Sequence, residues 1–276
     1  MDEIDAMLQL ARDQHVSDIY LLPKAEQLEI QFRYPDQVKR HLVLPLEVGQ
    51  RWINYLKYRA GMNVAEHRRV QLGAYFDSVS AVFMRLSSVA DYQQHESLVI
   101  RLINGIPQPN QETRVALTQV TQILEQRGLL TISGPTGSGK TTFLYQLAQQ
   151  LQQSRMVMTI EDPVEIAESR FLQLQVNPEA QMTYAALLKA ALRHRPDVVV
   201  IGEIRDRETA QMACEAAISG HIVLATVHAR SVQDVPMRLI SLGVDADLVH
   251  AALIATVAIE LKYEPEITPQ ITILQF

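Results

Sequence analysis

The densest chemistry in this chain lies in Gly134-Pro-Thr-Gly-Ser-Gly139-Lys140-Thr141, with Thr142 following. The spacing satisfies G-x-x-x-x-G-K-[ST] between a short apolar run and a helical stretch, the context that pattern requires. Glycines at 134, 137 and 139 let the backbone curl so that successive N–H groups converge, as a phosphate cradle needs. The start of the following helix adds partial positive charge. Lys140 supplies a full charge to β- and γ-phosphates, and the Thr141 hydroxyl is a ligand for Mg²⁺. ATP and Mg²⁺ are therefore the expected cofactors. The expected nucleotide-binding residues are Gly134, Pro135, Thr136, Gly137, Ser138, Gly139, Lys140, Thr141 and Thr142.

Three further polar positions each end an apolar run. Glu203 follows Val198–Ile201 and the turn residue Gly202, where a carboxylate holds Mg²⁺ through water or polarises an attacking water. Ile160-Glu161-Asp162-Pro163-Val164-Glu165 clusters acids where Pro163 forces Asp162 out of helical geometry; Glu161 or Glu165 is the expected general base for water. His228 closes Thr226-Val-His228, placed to sense a γ-phosphate by hydrogen bonding. His15, His41, His67, His95, His194 and His250 show no metal spacing and are assigned no role. Arg193 and Arg195 precede the Val198–Ile201 run, Arg205 follows Glu203, and Arg85 and Arg101 lie in or beside earlier strands. A phosphoryl transition state spreads negative charge that such guanidinium groups stabilise, often from a neighbouring subunit.

The elements that must carry these residues can be read from periodicity. From Leu129 onward, apolar runs alternate with helical stretches: Leu129–Ser133, then a helix Thr141–Gln152; Met156–Ile160; a helix capped by Thr183 and running through Arg193; Asp197–Ile201; a helix Arg207–Ser219 ended by Gly220; His221–Thr226; and a helix opened by Ser231 and closed by Gly243. This rhythm predicts an α/β domain with a mostly parallel sheet covered on both faces, whose ligand sits beyond the carboxyl ends of the strands. Before it, strands predominate: Asp18–Leu22, Leu28–Arg33, Arg40–Leu44, Ala81–Ser87 and Leu98–Ile103, with helices near Asp2–Gln14 and Leu46–Ala60. That is a smaller α+β domain. Asn104–Glu112 holds Gly105, Pro107 and Pro109 and reads as a linker, so the expected division is 1–103, 104–112 and 113–276.

Composition narrows the function. The 276 residues carry 25 Lys and Arg against 31 Asp and Glu, a net charge of −6, and neither half has the basic excess a nucleic-acid binder needs. A single cysteine, Cys214, excludes an internal disulfide and a cysteine-cluster zinc site, so no zinc is expected. No stretch approaches 18 uninterrupted apolar residues, and the acidic Met1-Asp-Glu-Ile-Asp5 is unlike a signal peptide, so the expected location is cytoplasmic.

Taken together, the motifs resemble those of the secretion-type ATPases of type II secretion, type IV pilus and competence systems. GPTGSGKTT (134–142) resembles the family's P-loop and TIEDPVE (159–165) its Asp box. LRHRPDVVVIGEIRD (192–206) is similar to its Walker B box and GHIVLATVHA (220–229) to its His box. SDIYLLP (17–23), AEHRRVQLG (65–73), Arg85-Leu-Ser87 and Glu96-Ser-Leu-Val-Ile-Arg101 resemble strands and loops of its N-terminal domain. The resemblance implies a RecA-like P-loop domain preceded by a PAS-like α+β domain. It implies Lys140 and Thr141 for phosphate and Mg²⁺, Glu161 as the water-activating carboxylate, Glu203 as the Walker B acid, and His228 as the γ-phosphate contact. Arg85, Arg101, Arg193 and Arg205 match family arginines that approach the nucleotide as domains and subunits close. Hexameric rings, a polytopic inner-membrane platform protein as partner, and attachment to the inner face of the membrane through it are implied likewise.

Departures point to one branch. A tetracysteine zinc element and a further N-terminal domain have no counterpart here, and RHRPD with the minimal N-terminal part looks like the competence-pilus branch of Gram-positive bacteria. The expected function is a motor ATPase that assembles a competence pseudopilus for DNA uptake. A retraction ATPase of the same family and a nucleotide-binding scaffold with little hydrolysis are the alternatives; the presence of every acid expected for hydrolysis argues against the scaffold. At 228–230 His-Ala-Arg stands where the family has His-Thr-Asn, and Ala258-Ile-Glu-Leu261 where it continues with a Gln-Arg-Leu helix. Ile271–Phe276 then closes a shortened C-terminal part.

Overall fold

The computed structural model describes residues 2–34, 37–79, 82–103, 105–135, 137–262 and 268–276. Ala81, Asn104 and Thr136, which the sequence assigns to a strand, the linker and the phosphate loop, lie outside the described residues. The chain divides into two units, Met1–Gly105 and Ile106–Phe276, each described by itself.

In the first unit the order is α1 (Asp2–Asp13), β1 (Asp18–Lys24), β2 (Gln27–Arg33), β3 (Val38–Pro45), α2 (Leu46–Arg59), β4 (Gln71–Asp77), β5 (Val82–Ala90) and β6 (Glu96–Ile103). The strands form one antiparallel sheet in the order β3-β2-β1-β6-β5-β4. Period-2 alternation sends Ile19, Leu21, Ile30, Met84, Leu98 and Ile100 to one face, where they pack with Leu8 of α1 and Ile53 and Leu56 of α2. In the register, Asp18, Arg101 and Arg85 form one cross-strand row, and Arg101 Nε donates to Asp18 Oδ1 at 2.8 Å. β4 was not expected from the sequence: its outward Leu72 and Phe76 are exposed, so its alternation does not mark a buried face.

The second unit runs α3 (Gln111–Ile123), β7 (Gly128–Ser133), α4 (Lys140–Gln152), β8 (Val157–Glu161), β9 (Leu172–Gln175), α5 (Tyr184–Arg193), β10 (Val198–Ile201), α6 (Arg207–Ile218), β11 (Ile222–Thr226), α7 (Val235–Ser241), α8 (Ala246–Ala252), β12 (Leu253–Lys262) and β13 (Thr268–Gln275). Its sheet order is β13-β12-β7-β11-β10-β8-β9, parallel throughout except for β13. Every residue of β7, β8, β10 and β11 is buried, as strands covered on both faces must be. In β10, Val199 and Ile201 join a core with α5, α6 and α8, whereas Val198 and Val200 join one with α3 and α4.

Several boundaries differ from expectation for identifiable reasons. Asn110 accepts from Thr113 N through its side chain at 2.8 Å and so starts α3; the extended stretch stops there, and Gln111 and Glu112 are helical. The helix expected from Ser231 opens there as a 3₁₀ turn, Val232–Asp234, and becomes α-helical only at Val235, because Pro236 would clash with an α-helical carbonyl four residues back. Ser231 Oγ instead donates to Asp234 Oδ2 at 2.8 Å. Ala258–Leu261, where the family resemblance implies a helix, belongs to β12, whose first half is mostly buried beside β7 and whose second half pairs with β13. No helix among the described residues is long and apolar enough to cross a membrane.

Candidate functional site

At the carboxyl ends of β7, β8, β10 and β11, four connecting loops meet over one cleft of about 480 Å³. Lys140, Thr141, Glu161, Glu165, Glu203, Arg205 and His228 all line it, with Gly137, Gly139 and Thr142. Residues 60 to 90 positions apart are thus gathered by the parallel topology alone, because each βα turn returns to the same edge of the sheet.

The loop from β7 to α4 has backbone conformations that side chains resist. Gly134 has φ 144° and Gly139, at the N-cap of α4, φ 94°. A Cβ on Gly134 would run into the main-chain carbonyl of Ile259 in β12, so the loop leans directly on that strand. No side chain caps α4, which leaves its first amides free to meet an anion. Ser138 Oγ is buried with no hydrogen-bond partner among the described residues, a further polar atom that a phosphate-bearing ligand suits. Lys140 Nζ donates to the carbonyls of Gly134 at 2.9 Å and Pro135 at 2.7 Å, spanning the curl. Burial pushes its pKa down, opposed by the negative charges of Glu203 and Glu165.

Glu161 ends β8 and is only 4% exposed. Its Oε1 accepts from Thr159 Oγ1 and Tyr145 Oη, each at 2.6 Å. Burial pushes the carboxyl above its ordinary range, while these hydrogen bonds pull the other way. Gly202 makes room for it: a Cβ there would stand 3.3 Å from both Cα and Cγ of Glu161. Thr226 Oγ1 donates to the Gly202 carbonyl at 2.5 Å, tying the end of β11 to the turn after β10.

Glu203 sits between a guanidinium and an imidazole. Its Oε2 is 2.5 Å from an Arg205 terminal nitrogen and its Oε1 is 3.0 Å from His228 Nε2. The pairing pushes the Arg205 pKa up. Tyr184 faces the same cleft, its hydroxyl pushed up to about 12 by burial. Behind the phosphate loop lies a second, mostly apolar cleft of about 330 Å³, bounded by Pro107, Pro109, Phe143, Ile259, Leu261 and Ile271.

Arg193 is not brought to the cleft. It is exposed at the C-terminal end of α5, and a helix antiparallel to its strands ends at their amino edge. Arg85 and Arg101 belong to the first unit, in adjacent strands. Sequence reasoning did not single out Tyr145, Thr159 or Tyr184, and read Gly202 only as a turn residue. Tyr145 falls on the buried stripe of α4 and Thr159 inside a buried strand, so only the pairing of β8 with its neighbours gives their hydroxyls a target.

A protein family described as Type II/IV secretion system protein matches residues 1–264. The chain belongs to this family. The Competence protein ComGA of Streptococcus pneumoniae is 41% identical over 245 residues, covering 87% of this chain and 78% of that protein. ComGA of Bacillus subtilis is 36% identical over 251 residues, covering 88% of this chain and 70% of that protein. Among solved structures, the ATPase DotB of Legionella pneumophila shares the fold, with a TM-score of 0.78 at 21% identity over 99% of this chain and 80% of that one. As a type II/IV secretion system protein the chain is a P-loop ATPase, and the residues of its glycine-lysine-threonine loop line the cleft at the carboxyl ends of β7, β8, β10 and β11.

Proposed function

We propose that this chain is a motor that hydrolyses ATP to ADP and phosphate to drive assembly of a competence pseudopilus for DNA uptake. The observation that carries the reading is the meeting of Lys140, Glu161, Glu203 and His228 in one cleft at the uncapped start of α4. The amides of the Gly134–Thr142 loop and Lys140 hold the β- and γ-phosphates, and the apolar cleft beside Pro107 and Phe143 has the character a purine base needs. Glu161 takes a proton from the water that attacks the γ-phosphate in line. His228 reaches the γ-phosphate, and Arg205, released from Glu203, meets developing charge.

Mg²⁺ fits the donor set. The Thr141 hydroxyl and, through water, the Glu203 carboxylate would hold it, with the remaining positions left to phosphate oxygens and waters, as Mg²⁺ prefers. When bound, it supplies neutralisation of the phosphate charge. Arg85 and Arg101, from a first unit of PAS-like form, and Arg193 add charge as units and subunits close in a hexameric ring. A polytopic membrane platform protein receives the motion and keeps the ring at the cytoplasmic face. The two ComGA relatives, matched over most of their length, support the competence branch.

The experiment is Mg²⁺-dependent ATP turnover measured beside mass by light scattering, with Lys140→Ala as control. Turnover that rises with ring assembly and vanishes in the variant is the expected result. ATP binding without turnover in every assembly state would overturn the motor reading in favour of a scaffold.

A further inference from the structure

We infer that Tyr145 is a positioning residue for Glu161, and that Gln173 fixes the direction in which its hydroxyl acts; this rests on the reading of Glu161 as the water-activating carboxylate. The argument is a count of protons. Gln173, on β9, has its amide orientation set by main-chain groups of opposite kind: Oε1 accepts from Glu168 N at 2.7 Å, and Nε2 donates to the Ile166 carbonyl at 2.8 Å. A main-chain N–H only donates and a carbonyl only accepts, so the amide cannot be turned over. The same Nε2 donates to Tyr145 Oη at 2.7 Å. The tyrosine oxygen therefore accepts on that side, and its single proton is left for Glu161 Oε1, 2.6 Å away. Thr159 Oγ1 gives its proton to the same oxygen. Two neutral donors on one oxygen, beside the Glu165 main-chain N–H, orient a carboxylate that makes no ion pair among the described residues.

Tyr145 is 1% exposed, so it acts on Glu161 and has no access to a ligand in the cleft. Its ring packs against Phe171 at 5.9 Å between centroids, a contact that phenylalanine would make equally well. The hydroxyl is what the packing does not explain. Tyr145 also stands four residues after Thr141 on α4, one turn along the same helix face. One helix thereby presents Thr141 to phosphate and sets the carboxylate of β8.

The test is steady-state ATP turnover of the full chain, with nucleotide affinity and thermal unfolding measured in parallel, for Tyr145→Phe, Gln173→Met, their combination and Glu161→Gln. Tyr145→Phe should lower kcat about ten-fold while KM and nucleotide affinity stay within about two-fold, since only the orientation of the base is lost. A merely structural role would loosen α4 and raise KM, because Lys140 and Thr141 ride on it. Gln173→Met should lower kcat several-fold, about three- to five-fold, and the combination should be no worse than Tyr145→Phe alone, because Gln173 works through the hydroxyl. A combined loss equal to the product of the single losses, or a Tyr145→Phe kcat within two-fold of the parent, overturns the inference. Should Tyr145→Phe unfold, Gln173→Met, which keeps the tyrosine, carries the same kcat-against-KM test. Glu161→Gln separates the two levels. If it turns over normally, the base assignment and this inference fall together; if it is inactive while Tyr145→Phe and Gln173→Met are unaffected, the positioning role alone is wrong.

Discussion

Glu96 in the first unit and Glu161 in the second are both almost fully withdrawn from solvent, at 2% and 4% exposure, yet they are satisfied by opposite means. Glu96 lies against two ionisable groups, Lys57 Nζ at 2.5 Å and His67 Nδ1 at 2.9 Å, and also accepts from the neutral Gln50 amide at 3.3 Å. Lys57 is itself buried and also donates to the Glu66 carbonyl at 2.7 Å, so the pair fastens the 63–71 loop to α2 and β6. Glu161 has only neutral donors, the Thr159 and Tyr145 hydroxyls and the Glu165 main-chain N–H. A counter-charge cancels a carboxylate and locks it; neutral donors orient it and only partly offset the rise in proton affinity that burial brings. The first arrangement suits a brace and the second a base.

The largest expected effect that could break this contrast is on turnover. Glu161→Gln should lower kcat by roughly 10²–10⁴-fold, the range of general-base catalysis, with nucleotide affinity kept. Its stability should not fall at neutral pH, because the amide oxygen still accepts from Thr159 and Tyr145. The sign follows from linkage: burial raises the native pKa of Glu161, so its contribution to stability is full at low pH and is lost as pH rises through that raised value. A clear drop in melting temperature at pH 7 would mean that Glu161 is a brace after all.

Next in size is Lys57→Met, which strands the Glu96 charge in the interior and should cost about 3–5 kcal/mol. Denaturant unfolding followed by the fluorescence of Trp52, the one tryptophan and a buried residue of this unit, would read it. Adding Glu96→Leu should recover most of the loss. If it does not, the pair is more than a mutual neutralisation.

Smaller again is the pH response. Because only ionised Glu161 accepts a proton, turnover should fall as pH drops through its raised pKa, placing the acid limb of kcat/KM above the 4.5 of an ordinary glutamate. A limb at or below that value would remove burial from the account. The smallest effect belongs to a third kind of carboxylate, the exposed Asp206, which accepts from Thr209 N and Oγ1 at 2.9 Å and caps α6. Asp206→Ala should cost about 1 kcal/mol in thermal unfolding and leave kcat unchanged.

The cleft edge of the second unit was legible because its logic is local: an apolar run, a turn and a polar residue recur after β7, β8, β10 and β11. The first unit's sheet was legible where one face is buried, and β4 escaped because Leu72 and Phe76 face solvent. α3 escaped because the prolines at 107 and 109 drew the linker past its cap at Asn110. The hydroxyls around Glu161 could not be read at all. Tyr145 and Gln173 are 28 residues apart and meet only because β9 pairs with β8 beside α4. The roles of Arg85, Arg101 and Arg193 rest on resemblance, since none of the three lines the cleft.

The strand behind the phosphate loop has a consequence for how the protein is made. Thr131 and Thr256, hydrogen-bonded across β7 and β12, are 125 residues apart in sequence, and Gly134 leans on Ile259 of the same late strand. At typical synthesis rates, roughly 6 to 25 seconds separate the emergence of the two partners from the ribosome. Throughout that interval the growing chain carries the complete glycine-lysine-threonine signature without the wall it rests on. ATP can therefore reward folding only once β12 has been made, and the phosphate loop takes its final shape well after its own residues have been synthesised.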